Sequence, residues 1–364
     1  DNSYKVLIAG GWDGTKFLDT AEVYDTRNKQ FSLLSARMTV PRSGHTAVVL
    51  SDGRIVLAGG YNGANTENSM EVFDPASQTF SKFSETMVVP KEGHLAATDG
   101  GRILLAYGFA TYSGTPQLCT NYEVFGISPP KRLETGYVDY PRILFASAVT
   151  SGGTIAVCGG VGFPRYFPTT PVVLNSFEVW RFSSTILHTR FTVALSHKRA
   201  GHRMVSIGGG KLLVVGGYDV NPALTTYYSG PKTCEIYDDR TPITLGDETI
   251  SDTGSLSRVR FLPIAGLLGD GRVLIAGGAD DNSPPAVLDS AEIFDPSNGS
   301  FSLSSGNLLT RRYYATQSMI PGPDGVIGTT DDRILVVGGL QNWVDPRFSP
   351  SAGDILSTAE IFIP

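Results

Sequence analysis

The chain has few of the residues that metal sites and disulfide frameworks need. Its 364 residues include three cysteines and five histidines. The cysteines, Cys119, Cys158 and Cys234, are odd in number and far apart, so they fit neither a disulfide framework nor a zinc site. Cys158 lies in an apolar run, where we expect a small core residue.

The sequence also lacks the long apolar and basic segments of membrane and nucleic-acid-binding proteins. No apolar run reaches the roughly 18–20 residues that a membrane span needs. The net charge is −6, and the largest basic cluster, around Lys198, Arg199 and Arg203, is too small for a phosphate-binding face. No signal peptide and no linker is recognisable. We therefore expect one domain over residues 1–364, with no nucleic-acid partner and no membrane span.

One pattern recurs seven times along the chain. An apolar run ends in a glycine pair, except that Tyr107 replaces the first glycine in the third copy; the final glycines are Gly11, Gly60, Gly108, Gly160, Gly217, Gly278 and Gly339. A later run carries Glu, a branched apolar residue and an aromatic residue; its glutamates are Glu22, Glu71, Glu123, Glu178, Glu235, Glu292 and Glu360. Hairpin signals such as Asp52-Gly53 join the glycine run to an earlier strand. Each repeat thus predicts four antiparallel strands, which we call a, b, c and d, and such units repeated radially make a β-propeller.

The glycine pairs, the Glu-containing strand and an Arg-x-x-His entrance to strand a resemble kelch repeats. The set is also similar to the central propeller of the galactose-oxidase superfamily. This resemblance spans essentially the whole chain and implies an all-β, seven-bladed β-propeller of four-stranded antiparallel kelch-type blades. The expected repeats are residues 1–38, 39–87, 88–138, 139–193, 194–250, 251–308 and 309–364.

The two terminal blades are expected to be incomplete in this chain, because the first repeat starts at strand b and the last ends at strand c. Three explanations stay open. Two three-stranded blades could lie side by side, the natural chain could be longer, or a neighbouring molecule could donate a strand. We favour the longer chain; strand donation would make the protein a self-assembling subunit of a polymeric surface structure.

A basic residue precedes strand a in six repeats, with a ring three positions later. The pairs are Arg42/His45, Lys91/His94, Arg142/Phe145, Arg199/His202, Arg258/Phe261 and Arg311/Tyr314. The favoured interpretation is architectural: the Glu of strand c pairs with a basic residue near strand a. The alternative is ligand binding at the mouth of a central channel, for which the candidates are Arg42, His45, Arg199, His202, Arg311 and Tyr314. Repetition favours architecture, because a ligand site should break the repeat.

The b–c loops are long and variable, and they mix aromatic with polar residues. The candidate ligand-binding residues in them are Trp12, Tyr61, Tyr166, Tyr218 and Trp343. Variable loops on a rigid scaffold are where binding functions concentrate, and this composition is typical of glycan or protein recognition. The competing interpretation is that the rings pack the loops against the rim of the propeller.

An Asp-rich loop in the last repeat is the one candidate metal site. Asp324, Asp331 and Asp332 lie in a segment that resembles the loops of extracellular calcium-binding repeats. Calcium takes six to eight oxygens, which these carboxylates and backbone carbonyls could supply. We favour a solvated turn, so no cofactor is expected and a structural calcium ion is the alternative.

The sequence contains no constellation that would make the chain an enzyme. The similar oxidases hold copper with two Tyr and two His, one Tyr being cross-linked to a Cys, and this chain has no Tyr-His dipeptide and no matching Cys–Tyr pair. The glycines at Gly208–Gly210 precede a strand and so do not form a phosphate loop.

We therefore predict a non-catalytic binding or scaffold module that recognises a glycan or a protein through its b–c loops. The resemblance and the calcium-like loop favour a place outside a bacterial cell or on its surface. The alternatives are a structural subunit of a surface assembly, and a copper-radical-oxidase-like or sugar-processing enzyme.

Overall fold

The computed structural model describes residues 4–112, 115–163, 171–183, 186–219, 229–239, 248–344 and 350–363. Within these ranges the chain consists of β-strands, turns and one short 3-10 helix at Ala352–Asp354. No described helix is long and apolar enough to cross a membrane. The all-β prediction is confirmed.

The chain divides into two compact units. The first unit is Lys5–Ile143 with Gly162–Thr170, and the second unit is Leu144–Val161 with Asp1–Tyr4 and Pro171–Pro364. The expectation of a single domain stays a prediction.

The first unit contains the sheets of the first three repeats. Its strands are β1 (Lys5–Ala9), β2 (Ala21–Asp25), β3 (Gln30–Leu33), β4 (Thr46–Val49), β5 (Ile55–Ala58), β6 (Met70–Asp74), β7 (Thr79–Lys82), β8 (Leu95–Thr98), β9 (Arg102–Ala106), β10 (Phe109–Tyr112), β11 (Thr115–Leu118), β12 (Asn121–Ile127), β13 (Pro130–Tyr137) and β14 (Arg142–Ile143). The antiparallel sheets run β1-β2-β3, β4-β5-β6-β7 and β8-β9-β12-β13. The strands β10 and β11 form a hairpin inside the third b–c loop, which the sequence predicted only as a variable loop.

The remaining strands continue the same order. They are β15 (Ala146–Val149), β16 (Ile155–Cys158), β17 (Val161–Gly162), β18 (Val172–Val173), β19 (Ser176–Phe182), β20 (Ile186–Ala194), β21 (Arg203–Ser206), β22 (Lys211–Val215), β23 (Thr233–Asp238), β24 (Thr249–Ser255), β25 (Ile264–Leu267), β26 (Val273–Ala276), β27 (Ala291–Asp295), β28 (Ser300–Leu303), β29 (Thr316–Ile320), β30 (Arg333–Val337) and β31 (Ala359–Phe362). The second unit holds the sheets β15-β16-β19-β20, β21-β22-β23-β24, β25-β26-β27-β28 and β29-β30-β31. The approximate repeat boundary expected after residue 250 falls inside β24, because strand d of the fifth repeat extends to Ser255.

Each of the seven sequence repeats forms its own antiparallel sheet. In the described ranges the first sheet lacks strand a, the last lacks strand d, and the others have all four strands. This matches the predicted strand order of the terminal repeats. The closure of seven blades into one ring stays a prediction.

The glycine-ended strand b is largely buried in the four-stranded sheets, where it pairs on both edges and packs on both faces, whereas β1 of the first sheet is only partly buried. Leu57 in the first unit and Leu274 in the second are fully buried. Such strands read as unbroken apolar runs, as the sequence showed. Between successive sheets of the first unit, Val56 packs in one cluster with Ile103 and Phe125. Burying each such side chain stabilises the fold by about 1.5–3 kcal/mol.

Candidate functional site

The recurring Arg and Glu residues form buried nodes that join strands within a sheet. Arg199 Nη2 lies 2.7 Å from Glu235 Oε1, and both side chains are fully buried. Arg199 Nη1 also donates to the carbonyl oxygen of Gly216, the first glycine of its own repeat, at 2.9 Å. The second oxygen of Glu235 accepts the backbone N–H of Ser196 at 2.7 Å. The node therefore ties strand b, strand c and the entrance to strand a together.

The same node recurs in other repeats, with a looser ion pair where lysine replaces arginine. The ion-pair distances are 2.7 Å for Arg42–Glu71, 3.9 Å for Lys91–Glu123, 3.0 Å for Arg260–Glu292 and 2.6 Å for Arg312–Glu360. Glu22, whose repeat has no basic partner, is exposed. The placement of Arg42 and Arg199 favours the architectural interpretation, and ligand binding by these two residues stays a prediction.

The register predicted for two of these pairs is wrong. Arg260 and Arg312 form the nodes, whereas Arg258 and Arg311 are exposed. In each case another arginine lies within two residues of the node arginine. The sequence spacing therefore led to the wrong arginine being assigned to the pair. Phe261 and Tyr314 consequently do not occupy the position of the histidines.

In the first six repeats, the glycine that ends strand b contacts the node of the next repeat. The N–H of the second glycine donates to the carbonyl oxygen of the next node residue, as in Gly60 to Lys91 at 2.8 Å and Gly217 to Arg260 at 2.7 Å. The first glycine, for example Gly59 at φ +64°, packs against the same node, where a Cβ atom would meet the Lys91 carbonyl oxygen. The glycines are therefore required for close approach as well as for their backbone angles.

The residue two positions after each node has a left-handed backbone, and these residues are joined by hydrogen bonds. In the second unit the N–H of Leu262 donates to Gly201 O at 2.8 Å, and the N–H of Tyr314 donates to Leu262 O at 3.1 Å. In the first unit Gly93 donates to Gly44 at 2.9 Å. This ladder holds Tyr314 at φ +57° with 57% of the residue exposed, and ligand binding by Tyr314 stays a prediction.

The described histidines do not belong to any group of three metal-binding side chains. Burial lowers the pKa of His45 to about 4 and that of His94 to about 3, so both rings are neutral at pH 7. His202 is fully buried with its Nε2 3.2 Å from Cys158 Sγ. Among the described residues no three His, Cys, Asp or Glu side chains are arranged to hold a metal ion. A neutral, buried ring also cannot attract an anion by charge, although ligand binding by His45 and His202 is otherwise untested.

Aromatic rings of the last three b–c and d–a segments form a cluster in the second unit. Trp343 lies 5.5 Å from Tyr313 and 5.8 Å from Phe261, between ring centroids, and Phe261 lies 4.7 Å from Tyr218. Trp343 is partly exposed, whereas Tyr218 is buried. Tyr218 therefore supports the cluster from inside, and Trp343 presents it to solvent.

Arg311 lies beside this cluster. Its Nη2 donates to Asn342 Oδ1 at 3.1 Å, and Asn342 Nδ2 donates to Asp354 Oδ1 at 3.0 Å. Asn342 immediately precedes Trp343, so the loop that carries the indole also fixes the exposed guanidinium. The structure thus brings two predicted site residues, Arg311 and Trp343, to one surface.

The other predicted aromatic residues lie apart from that surface. In the first unit Phe17 links Trp12 and Tyr61, with centroid distances of 6.3 Å and 5.3 Å. All three rings are partly buried, which agrees with packing of the loops against the sheets. Tyr166 lies outside the described residues.

The Asp-rich loop lies between β29 and β30. Asp331 Oδ1 accepts the Thr329 hydroxyl at 2.7 Å, and the buried Asp332 accepts the N–H of Gly328 at 2.6 Å. Asp324 accepts a backbone N–H two residues further on at 2.8 Å. The carboxylates thus stabilise the turn itself, and calcium binding stays a prediction.

Glu92 is a titratable residue that the sequence analysis missed, because it varies between repeats. It follows the node residue Lys91, where other repeats have Ser43, Ala200, Phe261 and Tyr313. Burial raises the pKa of Glu92 to about 7, and the Thr66 hydroxyl, which donates to Oε1 at 3.3 Å, opposes the shift. Glu92 is therefore expected to change charge near neutral pH.

We expect Glu92→Gln to stabilise the protein above pH 7 by about 1 kcal/mol and to have no effect below pH 4.5. The pKa is higher in the folded state, so this state binds more protons between the two pKa values, and stability falls as pH rises through that window. Partial exposure limits the magnitude. Urea unfolding at several pH values measures the effect, and an unchanged pH slope in the variant would contradict it.

Comparisons with known proteins agree with these repeats. The Kelch motif model matches residues 3–36 and 41–87. A structure described as a novel fungal alcohol oxidase of the AA5 family, in complex with copper, is 15% identical with a TM-score of 0.68, covering 99% of this chain and 72% of that one. The structure of YjhT is 14% identical with a TM-score of 0.60, covering 90% of this chain and 98% of that one. No curated protein matches the sequence. The first two repeats thus match the Kelch motif, and the chain as a whole is similar in fold to these two solved structures.

Proposed function

We propose that the chain is a non-catalytic binding module that recognises a glycan or a protein. Its contact area would be the surface formed by Arg311, Asn342 and Trp343, which we call the recognition surface. The observation that carries the proposal is an indole that is partly exposed and held from behind by Tyr313 and Phe261. A rigid aromatic ring beside an exposed guanidinium is a common binding hot spot.

The chemistry of the remaining repeat positions also supports a binding role. The buried Arg and Glu residues neutralise one another inside the nodes, and the buried histidines are neutral. These groups are thereby engaged in the scaffold, whereas the recognition surface differs from the other repeats. Location outside a bacterial cell is part of the same proposal, supported by the kelch resemblance and the Asp-rich loop. Surface assembly and oxidase activity are the alternatives.

The proposal predicts that Trp343→Ala lowers affinity for the partner by about 30-fold or more, equivalent to 2 kcal/mol or more at a hot spot. A glycan array and a set of purified surface proteins, probed with the full chain, identify the partner. The matched control is Tyr137→Ala, since Tyr137 is 81% exposed on the outer strand β13.

Three results would contradict the proposal. These are a folded Trp343→Ala variant that binds the partner like the wild type, an equal loss of affinity in Tyr137→Ala, and purified protein that contains stoichiometric copper and oxidises alcohols. Circular dichroism of both variants establishes that they are folded.

A further inference from the structure

Gln317, in β29, departs from the repeat at the second residue of strand a. Its partner across the hairpin is Val336, which lies two residues before the glycine pair. The residues at the same place in the other sheets with a strand a are Ala47, Ala96, Ser147, Met204 and Ala265. None of them carries an amide. The repeated architecture therefore does not explain the side chain of Gln317.

The amide of Gln317 is held at its nitrogen end. Its Nε2 donates a hydrogen bond to the carbonyl oxygen of Ala265 in β25. A backbone carbonyl oxygen can only accept, so this contact fixes which end of the amide is the nitrogen. Gly266 permits the close approach of the two strands, because a Cβ atom there would lie 2.7 Å from Ile334 Cδ1 and 3.2 Å from Gln317 Nε2. Oε1 is thus the end that remains to accept a hydrogen bond.

The oxygen at that end is buried, and within the described ranges of the chain no donor reaches it. Buried side-chain oxygens in native proteins almost always accept a hydrogen bond from the protein, from ordered water or from a ligand. An oxygen that has lost its hydrogen bonds to water and gained no other is unfavourable. The expected donor to Gln317 Oε1 is therefore a molecule other than the protein.

A pocket of about 300 Å³ has Gln317 in its wall and lies among strands a of the last three repeats, β21, β25 and β29. The wall also contains Ser206 and Ser318, and its apolar part includes Leu267 and Met319. None of the described residues that form it is charged. The volume is at the small end of the range for ligand pockets, so it suits a small molecule and excludes a folded partner.

We propose that this pocket binds a small aliphatic alcohol, whose hydroxyl group donates a hydrogen bond to Gln317 Oε1. An acceptor that is fixed in the wall selects a ligand with a donor, whereas the hydroxyls of Ser206 and Ser318 can turn to donate or to accept. The apolar side chains favour a hydrocarbon body. Amines also donate, but they are charged at neutral pH, and a charge without a partner in the wall would be costly.

This pocket is separate from the recognition surface. Arg311, Asn342 and Trp343 are absent from its wall. The proposal therefore goes beyond the function proposed for that surface and does not depend on it.

Binding of cyclohexanol to the full chain tests the site, with cyclohexanone as an analogue of nearly the same shape that accepts hydrogen bonds but cannot donate one. Titration followed by protein NMR shifts measures both affinities. We expect the wild type to prefer cyclohexanol about tenfold, the factor that one hydrogen bond supplies. Gln317→Met should abolish this preference by weakening the binding of cyclohexanol and leaving that of cyclohexanone unchanged. Methionine already occupies the equivalent position as Met204.

The matched control is Gln341→Met. Gln341 lies in the same unit and its Nε2 also donates to a backbone carbonyl oxygen, that of Gly353 at 2.8 Å, but it is not part of the pocket. This variant should keep the wild-type preference. Circular dichroism establishes that the variants are folded, and Gln317→Ala, the residue of three other repeats, replaces Gln317→Met if the latter does not fold.

Four results would overturn the proposal. These are equal affinity of the wild type for the alcohol and the ketone, an unchanged preference in the folded Gln317 variant, tighter binding of cyclohexylammonium than of cyclohexanol, and no binding of cyclohexanol up to its solubility. The last result would leave ordered water as the donor to Oε1. Trp343→Ala should bind cyclohexanol like the wild type, so failure here and failure of the recognition surface can be told apart.

Discussion

Replacing Arg199 by Gln is expected to lower the free energy of unfolding by about 3–5 kcal/mol. The change leaves Glu235 as a buried carboxylate without its counter-charge. It also removes the donors to the carbonyl oxygens of Gly216 and Thr233. Both side chains are fully buried, so water cannot replace the lost partner. The loss should therefore greatly exceed that of a surface pair.

Urea unfolding followed by tryptophan fluorescence measures this loss. The matched control is Arg272→Gln, whose partner Asp270 lies 2.6 Å away at a partly exposed hairpin, and its cost should stay below about 1 kcal/mol. The double variant Arg199→Met with Glu235→Leu should recover much of the loss, because it leaves no unpaired charge. A cost for Arg199→Gln no greater than that of the control would show that the nodes do not hold the sheets.

The nodes were predictable from the sequence because they repeat. Seven glutamates and six basic residues in phase with the glycine pairs indicated pairing between strand c and the entrance to strand a, and Arg42–Glu71 and Arg199–Glu235 confirm it. The register failed at Arg258 because Arg260 offers the same charge two residues later. Sequence spacing alone cannot show which of two neighbouring arginines forms the node. The node residue is the arginine whose side chain reaches the buried glutamate.

The candidate sites were less predictable than the scaffold. Arg203 looks like part of a basic cluster in the sequence, and the structure places it at the start of β21, where other repeats have uncharged residues. The raised pKa of Glu92 likewise follows from burial of its side chain, and the residue type alone does not show that the side chain is buried. The signal available in both cases was a departure from the repeat, a charged residue at a position that is uncharged in other copies.

Gly59→Ala is expected to lower the free energy of unfolding by about 2–5 kcal/mol. Gly59 has φ +64°, which costs an L-residue about 1–2 kcal/mol. The new methyl group would also meet the carbonyl oxygen of Lys91 and lie 2.9 Å from Cε1 of His94. Overpacking of this kind adds about 1–3 kcal/mol, and here the obstructing atom is backbone that cannot rotate away.

Gly53→Ala separates the two contributions. Gly53 also has a left-handed backbone, with φ +86°, but an added Cβ atom there would find nothing within 4 Å. Its loss should therefore reflect backbone strain alone, about 1 kcal/mol. Suppose that urea unfolding gives equal losses of unfolding free energy for the two variants. In that case the close contact between strand b and the next node would not be the reason why glycine is needed there. A larger loss at Gly59 would instead mean that the glycine pair fixes how closely neighbouring sheets pack, and hence the position of each node.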